Sequence, residues 1–189
     1  MDKKDKIIHA AIEMFTNKGI DKTTISDIVK LAEIGQGTFY LYFPSKLSLM
    51  PAIAEIIVER MLTRLKADVL STTITKQIDE IIDVIYSFTD EHQDHIKITY
   101  VGLTQTKEVN EWEQIYTPVY QWIEEKLQRA QQQALISSHV DTHFAAKIIV
   151  GSIESAAEQC YLFDAHADEN IQSHRNELVR FIKSALGIA

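Results

Sequence analysis

Two helices too short to stand alone, separated by three residues, constrain this 189-residue chain more than any other feature in it. Thr24 can accept an N-cap hydrogen bond and Asp27 can reach back to it, so a helix starts here with a carboxylate at the positive end of its dipole. Ile25, Ile28, Val29 and Ala32 then form one apolar stripe at helical spacing. Glu33-Ile34-Gly35 breaks the period, and a second helix is predicted over residues 36–42. Helices of two turns are marginal in water and need a third to close a core. Ile7, Ala11, Met14 and Phe15 supply it on a helix over residues 3–18 that ends at Gly19. The result is a three-helix, helix-turn-helix head.

The second short helix carries groups suited to a DNA groove. Gln36 can pair with adenine, Gly37 lets the backbone come close, and the Thr38 methyl can pack on thymine. Tyr40, Tyr42 and Lys46, with Thr24 at the preceding cap, bear hydroxyls or charge where phosphates would pass. Phe39 and Phe43 are expected to point inward.

At these residues the chain resembles the TetR family of bacterial transcription regulators. Gly37-Thr38-Phe39-Tyr40-Leu41-Tyr42-Phe43 with Ser45-Lys46 is similar to that family's recognition-helix signature, and Ile8, Ala10, Ala11, Phe15 and Gly19 to its first helix. Lys4-Asp5-Lys6-Ile7, Ile28-Val29-Lys30-Leu31 and Glu33 look most like the staphylococcal repressor that senses cationic multidrugs. The resemblance implies that Gln36, Gly37, Thr38, Tyr40, Tyr42 and Lys46 sit where the family touches DNA. Glu33 departs from the pattern, because most members have Gly there, and a left-handed conformation would cost Glu about 1 kcal/mol.

Beyond the head, an all-α chain of about nine helices is expected, divided into a DNA-binding domain over residues 1–45 and an effector-binding and dimerisation domain over 46–189. Six Gly and three Pro in a chain that is 46% hydrophobic leave little room for long loops. Helices are predicted over residues 46–70, 73–91, 94–103, 111–133, 141–164 and from Asp168 onward. Pro51 and Pro118 are expected to kink or interrupt theirs. Residues 1–48 hold seven Lys or Arg against six acids, leaving 12 against 21 in the remainder, so DNA should be held by the head and repelled by the body. So weakly basic a head needs two copies engaged together, which favours a dimer on a palindromic operator. Small residues such as Ala145, Gly151 and Ser152, beside Ile148, Phe181 and Ile182, allow close helix approach in the last two helices, within one chain or between two. The resemblance implies that these helices dimerise.

Tyr86, Phe88, His92 and Tyr100, followed by Trp112, Tyr116 and Tyr120, are candidates to line a small-molecule cavity. Glu154 and Glu158, if they face it, favour an aromatic or cationic effector. Packing as ordinary core is the competing reading. His92-x-x-His95 and the His139, Asp141 and His143 group lack a third ligand placed by sequence, so neither a metal nor another cofactor is expected. No phosphate loop, nucleophile elbow or Cys-His arrangement suggests an enzyme. The single cysteine, Cys160, rules out an internal disulfide, and no apolar run reaches membrane-spanning length, so a cytoplasmic protein is expected. The expected function is a transcriptional regulator, a repressor released from its operator by a small-molecule effector. Its rivals are an architectural or cofactor-recruiting DNA-binding protein and, less favoured, a helical ligand-binding protein or enzyme.

Overall fold

The computed structural model describes residues 2–105, 109–163 and 170–188, with 101–105 and 109–112 described by backbone alone. Among the described residues there are nine α-helices and no strand. The chain divides into two compact units, one of Met1–Val58 with Asp94–Ile115 and one of Glu59–Gln93 with Tyr116–Ala189. The sequence placed a division at residue 45. The two compact units part inside the continuous helix α4 (Met50–Asp68), and the first unit takes in most of α6 (Gln93–Gln105) and the start of α7 (Val109–Gln132).

In the first unit, α1 (Lys3–Lys18), α2 (Ile25–Leu31) and α3 (Gln36–Tyr42) have the expected bounds, because local signals set them. Asp2 and Asp5 form a capping box on α1. On α2 the Asp27 N–H donates to Thr24 Oγ1 at 3.1 Å and the Thr24 N–H to Asp27 Oδ2 at 2.9 Å. Lys18, 2.9 Å from Asp27, helps hold that carboxyl well below the usual carboxylate range. Ile7, Ala11, Phe15, Ile28 and Phe39 are buried in this unit's core.

The turn between α2 and α3 is a Schellman motif in which the Ile34 N–H donates to the Val29 carbonyl and the Glu33 N–H to that of Lys30. Glu33 takes the left-handed position, with φ 54°, that glycine would fill without a steric cost.

The expected break at Pro51 is a different feature. A 3-10 turn (Leu47–Leu49) leads into α4 at Met50, so Pro51 lies in the helix's first turn, where its missing N–H has no partner to lose. α7 continues through Pro118, which is therefore not a join between helices.

The second unit is organised on α5 (Ile74–Glu91), whose Ile74, Ile78, Ile81, Ile82, Ile85 and Phe88 are all buried. α5 packs against α8 (Thr142–Glu158) and α9 (Ile171–Leu186). Asp141 caps α8 by accepting from the N–H groups of His143 and Phe144 at 3.0 and 3.1 Å. The helix expected to reach residue 164 ends at Glu158 and continues as a π turn (Gln159–Phe163). The expected cap Asp168 lies outside the described residues, and Asn170 precedes α9 without a side-chain cap bond. Lys183 reaches Asp79 at 2.7 Å, and Arg175 pairs with Asp83, fastening α9 to α5.

Glu33 makes the head's turn open to improvement. Replacing it with glycine should stabilise the protein by about 1 kcal/mol, raising Tm by about 2 to 4 °C in thermal unfolding of parent and variant.

Candidate functional site

Helix α3 has a single buried residue, Phe39. With Phe43, 5% exposed, it turns inward as the sequence predicts. Gln36, Gly37, Tyr40 and Tyr42 are exposed and Thr38 is half-buried, so the candidate DNA-binding residues of α3 occupy the remaining surface of the helix. A Cβ on Gly37 would meet nothing within 4 Å, so the fold itself does not require glycine there. Leu41, 82% exposed, lies one turn after Gly37 on the side opposite Phe39. Sequence reading passed over it as part of a motif, although its helical position marks it as outward.

Two of the proposed DNA contacts are engaged within the head. The Thr24 hydroxyl donates to Asp27 at 2.8 Å as part of the cap. The Lys46 ammonium donates to the carbonyl oxygens of Ile20 at 2.5 Å, Thr23 at 2.8 Å and Asp21 at 3.4 Å.

In the second unit, the Tyr116 phenol of α7 and the Glu154 carboxyl of α8 are hydrogen-bonded. Both side chains are half-buried, between core and surface in exposure. Burial, with the neighbouring Glu158 charge added, raises the Glu154 pKa to about 8 against the opposing hydrogen bond from Tyr116. Burial likewise raises the Tyr116 phenol well above its ordinary value. The rings of Tyr116 and Tyr120 stack at 5.8 Å, and Lys147 lies 5.6 Å from the Tyr120 ring.

Tyr86 is buried, edge-to-face with Tyr161 of the π turn at 6.2 Å, and its hydroxyl has no hydrogen-bond partner among the described residues. Burial raises that phenol to about 12. Tyr161 was missed because the sequence ran α8 on as one uniform helix. Phe88, two residues from Tyr86 and so on another face of α5, stacks on His92 at 4.2 Å. Tyr100 belongs to the first unit and is 41% exposed. The side chain of Trp112 lies outside the described residues. No group of three or more His, Cys, Asp or Glu able to hold a metal occurs among the described residues.

On α8 and α9, Phe144, Ile148 and Phe181 are each more than 60% exposed. With Ile149, Ile182 and Leu186 they border an apolar trough of about 290 Å³.

Residues 7–53 match the family described as bacterial regulatory proteins, tetR family, and residues 78–186 match the tetracyclin repressor-like C-terminal domain. The chain belongs to the TetR family. It is 37% identical over 188 residues to the HTH-type transcriptional regulator YvdT of Bacillus subtilis (strain 168), covering 99% of this chain and 96% of that protein. The TetR-type fold is shared with Salmonella enterica GusR at a TM-score of 0.75 and 20% identity, covering 98% of this chain and 95% of that one. The head, over 46 residues, is 48% identical to the Staphylococcus aureus (strain Newman) biofilm operon icaADBC HTH-type negative transcriptional regulator IcaR, which spans 24% of this chain and 25% of that protein. That match covers the head alone, and it is to a biofilm-operon regulator, not to the multidrug-sensing staphylococcal repressor whose head this one resembles in sequence.

As a TetR-family member, this chain is a DNA-binding transcriptional regulator, and the family is one of regulators rather than enzymes. No single described helix is long and apolar enough to cross a membrane.

A carboxyl whose folded pKa is raised keeps a proton that the unfolded chain releases, so stability is lost as pH rises from the unfolded value of about 4.5 through about 8. Glu154→Gln should remove that loss: its melting temperature should lie close to the parent's near pH 5 and exceed it by about 10 °C or more at pH 8.5 in a pH series of thermal unfolding.

Proposed function

We propose that this TetR-family regulator is a cytoplasmic repressor that binds a palindromic operator as a homodimer and is released by a small aromatic or cationic effector. The observation carrying the DNA half is α3 itself, which packs through Phe39 and leaves its other positions at least partly accessible. Gln36, Gly37 and Thr38 would approach base edges while Tyr40 and Tyr42 follow the phosphates, with the two heads about 34 to 36 Å apart in successive major grooves. The net negative charge outside residues 1–48 supports contact through the head alone.

Homodimerisation is assigned to the exposed apolar face of α8 and α9, where burial of Phe144, Ile148 and Phe181 would remove large apolar groups from water. The cluster of Tyr116, Tyr120, Glu154 and Glu158 is assigned to the effector. Stacked phenols beside two carboxyl groups favour an aromatic organic cation, whose charge would ionise Glu154 on binding. Binding would lower operator affinity by the difference in the cation's affinity for the DNA-competent and released conformers.

Three measurements test this reading on a duplex selected by the protein from a random pool. Gly37→Ala should keep or raise stability by about 0.5 to 1 kcal/mol, since alanine suits a helix interior, yet weaken DNA binding by crowding the groove. Tyr40→Ala should weaken binding broadly and Gln36→Ala should shift base preference; parental binding by all three would overturn the assignment. Phe181→Asp should yield a helical monomer in sedimentation with little operator binding, whereas a persistent dimer would exclude this interface. Tetraphenylphosphonium should raise Tm more at pH 8 than at pH 6.5 and release the bound duplex, and Glu154→Gln should abolish the pH difference. Stabilisation by the cation with no change in DNA affinity would remove the induction model.

A further inference from the structure

The corner between α1 and α2 is a cluster of carbonyl oxygens held by two side chains. From within, the buried Thr23 hydroxyl faces the carbonyls of Met14 at 3.1 Å and Gly19 at 2.8 Å. From the far side of the head, 23 to 26 residues later in the chain, the half-buried Lys46 ammonium takes the carbonyls of Ile20, Asp21 and Thr23. An ammonium has three donors and no acceptor, and all three here face the corner. Thr23 immediately precedes the cap from which α2 sets out, and α2 leads through the strained Glu33 turn into α3.

We propose that Lys46 is a positioning residue for DNA recognition: it fixes the corner that sets α2 and α3, and does not itself ligate a phosphate. Reaching a phosphate would require it to leave carbonyls that then lose charge-assisted partners. Lys22 and Lys30, both exposed on the same unit, remain for sequence-independent attraction. The inference rests on the DNA-binding reading given above.

The test uses the full-length protein, with Kd for the selected duplex measured by fluorescence anisotropy across a potassium chloride series, for the parent, Lys46→Arg and Lys46→Met. Folding of each is verified by circular dichroism at the assay temperature. Arginine keeps the charge and binds phosphate well, but its planar fork does not converge on three carbonyls as an ammonium does. Lys46→Arg should therefore weaken binding by about tenfold or more, and Lys46→Met at least as much, with the slope of log Kd against log salt parallel to the parent's. Parental affinity in Lys46→Arg, together with a slope reduced by about 0.9 per head in Lys46→Met, would make Lys46 a phosphate ligand and overturn the inference. Unchanged affinity in both variants would overturn it as well, leaving the carbonyl contacts without a part in recognition. If Lys46→Met does not fold, the charge-retaining variant decides. A parent that binds no duplex at low salt overturns the regulator reading and this inference with it; a parent that binds alongside equally competent variants overturns the inference alone.

Discussion

A helix of seven residues does not hold its shape in water, so α3 exists because Phe39 is inserted into the core of the first unit. Full burial of such a ring is worth about 2 to 3 kcal/mol, more than propensity over so short a span supplies. The neighbouring rings support it, with Tyr40 edge-on at 5.5 Å and Phe43 tilted at 6.0 Å. The capped α2 and the left-handed Glu33 then set the direction from which α3 is presented.

The second unit combines a strongly apolar organiser with a half-buried polar pair. α5 commits most of its apolar side chains to the core, and its acids Asp79 and Asp83 to α9. The Tyr116 and Glu154 pair is a departure from that pattern. A carboxyl group kept protonated near neutral pH does not improve packing, and such local costs concentrate where function requires them.

Sequence reading succeeded where the cause of a feature was local. The Thr24 and Asp27 capping box and the apolar stripes of α1 and α2 are visible within a few residues, and α1, α2, α5 and α8 begin within a residue of where expected. Pro51 was misplaced because the helix was expected to start at residue 46, and the intervening 3-10 turn has no comparable signature. The aromatic candidates were grouped by residue type, whereas Tyr86 and Phe88, two residues apart on a helix, diverge by more than half a turn. Lys46 was illegible for a different reason: its partners are backbone carbonyls on a distant segment, and every residue type offers those alike. Glu154 and Tyr116 could be proposed from aromatic and acidic composition, but their pairing depends on how α7 meets α8, which spacing within either helix does not encode.

Because the Cβ position of Gly37 is open and Leu41 is almost wholly exposed, the outer face of α3 is formed by residues with little structural duty. On the DNA-binding role proposed for this helix, substitutions there change which promoters are recognised while the scaffold keeps its stability. Duplicated copies of such a gene could therefore diverge in regulon through a handful of surface replacements, without first acquiring compensating changes in the core.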